Sequence, residues 1–408
     1  MSRRSPTRPS RVLIYSHDSF GLGHLRRCRT IAHALVAKRS KLSVLIISGS
    51  PIIGSFDFRA RVDFVRVPGV IKLRNGEYSA LSLHMDISQV LELRASIIQH
   101  TAREFDPDIF IVDKEPLGLR GEIFETLKML KDMDTRLVLG LRDVMDDPDL
   151  LAKEWQRKNP VPALRDLYDD ILIYGLPQMC EPLAGIDLPD SVVQKIIYTG
   201  YLQGSSRGKP AVIPSLKAVK DPYILVTTGG GGDGEDLIDW VLRAYEIDNS
   251  IPYRCLLVFG PFMPPAKQKK FRTRVSRLPR VEAITFDAHP ESLIDNALGI
   301  VAMGGYNTFC DILSYDKPAL IVPRTRPRME QYIRASQAEA LGLVRMLDSR
   351  ERMDPKLMAT SLKNLPSQNP PSVTVVPGLL EGLDNISKLL QQWLSKENKT
   401  VKAVQSLS

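Results

Sequence analysis

The sequence predicts an α/β protein made of two doubly wound, Rossmann-like domains that face a cleft. Three observations predict it. Short apolar runs alternate with stretches of helical periodicity through most of the chain. A segment bearing Gly, Ser, Lys and Pro, 204–221, interrupts that alternation near the middle. In both halves a glycine-containing turn directly follows an apolar run, where the ligands of open α/β sheets bind.

In the first half, 12–16, 43–47, 62–67, 108–113, 136–141, 171–174 and 196–199 read as strands. Leu25, Cys28, Ala32 and Leu35 recur at helical spacing after the first strand. Ile87, Val90, Leu91, Ile97 and Ile98 mark an amphipathic helix that Asp86 can cap, and another helix falls near 121–131. In the second half, 223–228, 255–259, 281–286, 300–303 and 319–322 read as strands with helices between them. Leu379, Leu383, Ile386, Leu390, Trp393 and Leu394 give a long terminal amphipathic helix. The expected organisation is a basic flexible arm (1–10), an N-terminal domain (11–203), a linker (204–221), a C-terminal domain (222–376), a terminal helix (377–395) and a frayed tail (396–408).

Composition narrows the classes. The chain has 408 residues, 43% hydrophobic and 25% charged, which suits folded domains rather than a disordered chain. No apolar run reaches spanning length, and the arginine-bearing N-terminus lacks the apolar core of a secretory signal. Four well-separated cysteines, Cys28, Cys180, Cys255 and Cys310, argue for reduced thiols and a cytoplasmic setting rather than zinc or disulfides. The net charge of +8 is scattered and not interleaved with stacking aromatics, so nucleic acid is not the expected partner.

Four motifs carry the chemistry. After the first strand comes Ser16-His17-Asp18-Ser19-Phe20-Gly21-Leu22-Gly23-His24. Gly21 and Gly23 permit close backbone approach, and His24 and His17 stand where a general base would. The third glycine of a dinucleotide fingerprint is missing: Arg26 stands there. The second motif, Gly229, Gly230, Gly231 and Gly232 between a strand and a helix, can form an anion nest; Asp233 would repel phosphate unless it turns away or caps the helix. The third runs from Gly304 and Gly305 through Asn307 and Thr308 to Asp311. The fourth is Pro323 to Tyr332, with Arg324, Arg326 and Arg328 for phosphates and a Glu330-Gln331 pair suited to a polyol. Asp113 and Asp143 end two further strands and can orient a catalytic histidine or an acceptor hydroxyl. Asp143, Asp146, Asp147 and Asp149 invite a metal, but Asp146 or Asp147 better caps the helix near Pro148.

Two phosphate-capable turns and a Glu-Gln pair in one domain suggest a nucleotide-sugar site. On these residues the C-terminal half resembles the donor domain of GT-B glycosyltransferases, most closely family 28, the peptidoglycan N-acetylglucosaminyltransferase type. The chain as a whole resembles the bacterial predicted glycosyltransferases. The resemblance implies that Gly229 to Gly232 face the diphosphate. It implies that Gly304 to Asp311 contact the nucleotide, with Asp311 in place of the family's ribose-binding Glu. Glu330 and Gln331 would contact the donor sugar, Glu330 replacing a Gln. Gly21-Leu22-Gly23-His24 resembles the family's loop at the reaction centre. It further implies a terminal helix that crosses back to the N-terminal domain, and work without a bound metal or other cofactor.

The expected activity is transfer, with inversion, from a nucleotide-sugar (UDP-sugar favoured) to a polysaccharide or lipid-linked acceptor. A lipid-linked acceptor would place the protein at the inner, anionic face of a membrane, in cell-envelope synthesis. A nucleotide-sugar 2-epimerase and a non-catalytic nucleotide-sugar binder share the architecture and stay open.

Overall fold

The computed structural model describes residues 8–17, 23–72, 77–203, 222–287, 290–348, 350 and 353–405, the side chains of Lys72 and of 396–405 excepted. The first domain contains β1 (Ser10–Ser16), α1 (Gly23–Lys38), β2 (Leu42–Ser48), β3 (Val62–Arg66), β4 (Val70–Lys72), β5 (Tyr78–Ala80), α2 (Ile87–Phe105) and β6 (Ile109–Asp113). It continues through α3 (Phe124–Asp132), β7 (Arg136–Arg142), α4 (Pro148–Lys158), α5 (Val161–Asp166), β8 (Asp170–Tyr174), α6 (Asp190–Val193) and β9 (Ile196–Tyr198). The second domain opens with β10 (Tyr223–Thr227), α7 (Glu235–Ile247), β11 (Arg254–Val258), α8 (Pro265–Val275), β12 (Val281–Ile284) and α9 (Glu291–Asp295). It then runs through β13 (Ala297–Ala302), α10 (Tyr306–Ser314), β14 (Ala319–Ile321), α11 (Glu330–Ala340), β15 (Arg345–Met346) and α12 (Pro355–Asn364), and α13 (Gly382–Gln405) follows.

Both large sheets are parallel. The first has the order β3-β2-β1-β6-β7-β8-β9, the second β12-β11-β10-β13-β14-β15. The strands of a parallel sheet are covered on both faces, which explains their unbroken apolar runs: every residue of β6 and β8 is buried. Strand order reverses between β1 and β6, and again between β10 and β13. A crevice opens at such a point, beyond the strands' carboxyl ends. The predicted fold class is therefore the observed one. Asp86 and Gln89 form a capping box on α2, and Asp147 caps α4 by accepting from the Asp149 and Leu150 amides.

One apolar cluster runs from α1 and β1 through Leu176, Met179 and Tyr201 into the second domain and onto Ile386, Leu390 and Trp393 of α13. The last helix thus returns to the first domain. It packs on α1, and the Arg136 guanidinium lies 4.9 Å from the Trp393 ring centroid. Lys38 pairs with Asp384 near its start.

Some expectations shift. The terminal helix begins at Gly382 rather than 377, and its backbone stays helical to Gln405 where a frayed tail was expected. The antiparallel hairpin β4–β5 carries no alternation long enough to read. Of the basic arm, Arg8 is anchored on Asp108 at 2.6 Å and Ser10 already belongs to β1. The rest of the arm (1–7), Gly21 and the linker 204–221 lie outside the described residues. Among the described residues no helix is long and apolar enough to cross a membrane.

Candidate active site

The site is built from the ends of the strands at the two reversal points. A cleft of about 520 Å³ lies between the domains. Gly23, His24, Arg26, Arg27 and Arg142 line it from the first domain, and the turns after β10 and β13 from the second. That size suits a nucleotide-sized ligand.

On the first domain, Asp113 ends β6 and His24 lies in the first turn of α1. His24 Nδ1 is 2.5 Å from Asp113 Oδ2. Arg27, one turn further on, donates to Asp113 Oδ1 from Nε at 2.8 Å and Nη2 at 2.6 Å. The Arg27 Nη2 atom also lies 3.1 Å from His24 Nδ1. Burial opposes ionisation of Asp113, but Arg27 and His24 outweigh it and hold its pKa well below the usual range. An ionised carboxylate only accepts, so Nδ1 carries the proton and Nε2 keeps its lone pair. Burial holds the His24 pKa below its ordinary value against the pull of Asp113, so the ring is neutral at pH 7. The pair therefore holds the imidazole in one tautomer and one orientation.

The other two candidates near the base behave differently. His17 is 6% exposed and does not line the cleft. Burial pushes its pKa down to about 3, and its ring sits edge-on to His24, centroids 5.7 Å apart. Asp143 is fully buried, and its carboxylate is already taken. Arg334 donates from Nε and Nη2 at 2.8 and 2.6 Å, and the Tyr201 hydroxyl at 2.7 Å. It therefore orients neither a catalytic histidine nor an acceptor; it ties the two domains together. Removing one partner of such a buried pair costs about 3–5 kcal/mol. The neighbouring acids are also committed. Asp146 accepts from Arg328 and the Met329 amide, and Asp147 caps α4, so the cluster is dispersed over protein donors.

On the second domain, Gly229, Gly230 and Gly232 line the cleft, but Gly231 does not. Its φ of 84° and the Phe259 carbonyl, 2.2 Å from where a Cβ would stand, make it the residue that shapes the turn. Asp233 turns away from the nest and pairs with Arg324 at 2.7 Å. Gly305, Asn307, Thr308 and Asp311 line the cleft at the start of α10. Gly304 does not; its carbonyl accepts from Arg334. Asn307 Nδ2 donates across to the Gly23 carbonyl at 2.9 Å. Asp311 meets Arg26 at 2.9 Å, and burial raises its pKa to about 6 despite that partner. Gln331 and Arg324 line the cleft. Glu330 does not: Arg142 at 3.1 Å and Arg324 at 2.9 Å hold its carboxylate, and against its burial they keep the pKa at about 2. A carboxylate so occupied positions two arginines rather than a sugar hydroxyl.

Sequence reasoning missed the arginines: Arg26, Arg27, Arg142 and Arg334 each hold a site carboxylate. Arg27 had a usable signal, since its i+3 spacing from His24 puts both on one helix face.

The fold is that of the GT-B glycosyltransferases. Residues 224–371 match the glycosyltransferase family 28 C-terminal domain. An "Uncharacterized glycosyltransferase" of Methanosarcina mazei is 26% identical over 346 residues, covering 80% of this chain and 83% of that protein. The fold also matches Phytolacca americana UGT2, solved with UDP-2-fluoro-glucose and pterostilbene (TM-score 0.61, 13% identity, 94% and 99% of the two chains). Acinetobacter baumannii MurG shares it as well (TM-score 0.56, 11% identity, 94% and 100%).

Proposed function

We propose that the protein transfers a hexosyl group from a UDP-sugar to an acceptor hydroxyl by direct displacement with inversion. One observation carries the reading: His24, held by Asp113, faces a glycine turn and a second helix start across one cleft. His24 Nε2 takes the acceptor's proton as its oxygen bonds the anomeric carbon. The bond from that carbon to the diphosphate oxygen breaks, and UDP leaves. Backbone amides of the 229–232 turn, the positive end of α10 and Arg324 stabilise the diphosphate in place of a metal. Asp311 and Thr308 hold the nucleoside, and Gln331 the sugar. The UDP choice is supported by the UDP-sugar bound in the UGT2 fold relative.

The test is thermal unfolding with a panel of nucleoside diphosphates and nucleotide sugars, in EDTA throughout. The expected result is a rise in Tm with UDP and UDP-sugars that is lost in Asp311→Ala. No rise with any nucleotide in a folded sample overturns the donor site. Interconversion of a UDP-sugar with no acceptor present identifies an epimerase instead.

A further inference from the structure

Arg142 ends β7, beside β6, whose last residue Asp113 holds His24. Its Nη2 meets Glu330 Oε2 at 3.1 Å, at the start of α11. Glu330 Oε1 accepts from Arg324 at 2.9 Å, and Arg324 also pairs with Asp233 next to the glycine turn. Arg142 therefore stands between His24 and the turn, on the stretch that the sugar occupies in a transfer. Arg142, Arg324 and Gln331 line the same cleft as His24 and the turn.

These side chains offer donors and no free acceptor. Glu330 is buried, does not line the cleft, and has both oxygens on guanidinium groups. Gln331 Oε1 accepts from the Arg324 amide at 3.1 Å, which commits its acceptor and leaves its NH2 group. Arg142 Nη2 is paired, but its Nε is buried and has no hydrogen-bond acceptor among the described residues. Burial pulls the Arg142 pKa below its ordinary value despite Glu330, and Arg27 and Arg334 add to the pull, so this stretch of the cleft is short of negative charge. The other acids of the cleft are distant or engaged. Asp311 is held by Arg26. Asp287 and Glu291 follow β12, four strand spacings or about 19 Å from β14. A neutral sugar presents hydroxyls, which both donate and accept. A carboxylate only accepts, and a guanidinium fork matches its two oxygens.

We propose that the donor sugar is a hexuronosyl group, its carboxylate taken by Arg142 with the Gln331 amide donating to it. The inference rests on reading the cleft as a nucleotide-sugar site, and it names the substrate class of that site: a uronic acid rather than a neutral hexose. Glu330 is the positioning residue that holds Arg142 in place. A glutamine there would set its NH2 group against one of the two guanidinium groups, donor against donor.

UDP-glucuronate, UDP-glucose and UDP are the probes, titrated in thermal unfolding. UDP-glucuronate should bind the wild type about 10- to 100-fold more tightly than UDP-glucose. Arg142→Ala should remove that preference, and Glu330→Gln should reduce it. Arg142→Lys, which keeps the charge and lacks the fork, should retain part of it. Equal wild-type affinity for the two nucleotide sugars overturns the proposal whether or not any variant folds, and so does a preference that survives in Arg142→Ala. An Arg142→Ala loss shared equally by UDP puts the guanidinium on the diphosphate and overturns it as well. Should no nucleotide bind, the donor reading falls, and free glucuronate titrated against glucose still decides the subsite. A rise in Tm with glucuronate that Arg142→Ala abolishes upholds it, and no rise overturns it.

Discussion

The two sides of the cleft are built of different material. The first domain presents side chains: His24, Arg26, Arg27 and Arg142 come from α1 and β7, with Asp113 of β6 behind His24. The second adds a backbone turn, at Gly229, Gly230 and Gly232, beside the start of α10. Proton transfer needs one titratable atom in a fixed tautomer, which only a buried network of partners provides. A diphosphate needs several weak donors at short range, which glycines supply without side chains in the way.

The comparison breaks most sharply at His24. His24→Ala should lower turnover by about 10²–10⁴-fold while the UDP-induced rise in Tm is unchanged. Initial rates and unfolding curves on one preparation check both. An equal loss of nucleotide binding would mean that the two sides are not separable. The converse variant is Gly231→Ala. A Cβ there meets the Phe259 carbonyl at a positive φ, so the turn must shift. UDP affinity should fall about tenfold or more, with the strain costing roughly 1–2 kcal/mol of stability.

The smallest effect is in pH. His24 titrates below its ordinary value, so the rate should hold to below pH 6.5 and fall only as the pH drops through the depressed pKa. His17 and His33, pushed by burial to about 3 and about 4, add a matching loss of stability. The unfolded chain binds their protons near pH 6.5 and the folded one does not, so stability fades as the pH falls from there towards 4. Asp311 acts oppositely: its pKa of about 6 means that ionisation costs stability as the pH rises through that value. Rate and unfolding profiles from pH 4 to 8 resolve the two signs.

Much of this was legible in the chain. The alternation of buried strands and amphipathic helices gave the two sheets because parallel strands and their covering helices have distinct local periods. Contiguous motifs placed Gly229, Gly230, Asn307, Thr308 and Gln331 on the cleft, since a turn between strand and helix is a local structure. His24 and Asp113 were both visible as candidates, but 89 residues separate them and nothing local pairs them. Glu330 and Asp143 were misread for the same reason. Both lie in suggestive motifs, and both are claimed by arginines from the other domain, Arg142 and Arg334.

The sequence by itself determined the alternation of strands and helices and the strand-end position of each motif, because these follow from short-range period and turn geometry. Only the tertiary structure decided which carboxylate faces the cleft and which is buried in an ion pair, and which histidine has a carboxylate partner. Those outcomes depend on charges brought together from distant strands and helices, where burial makes every pairing or its absence count.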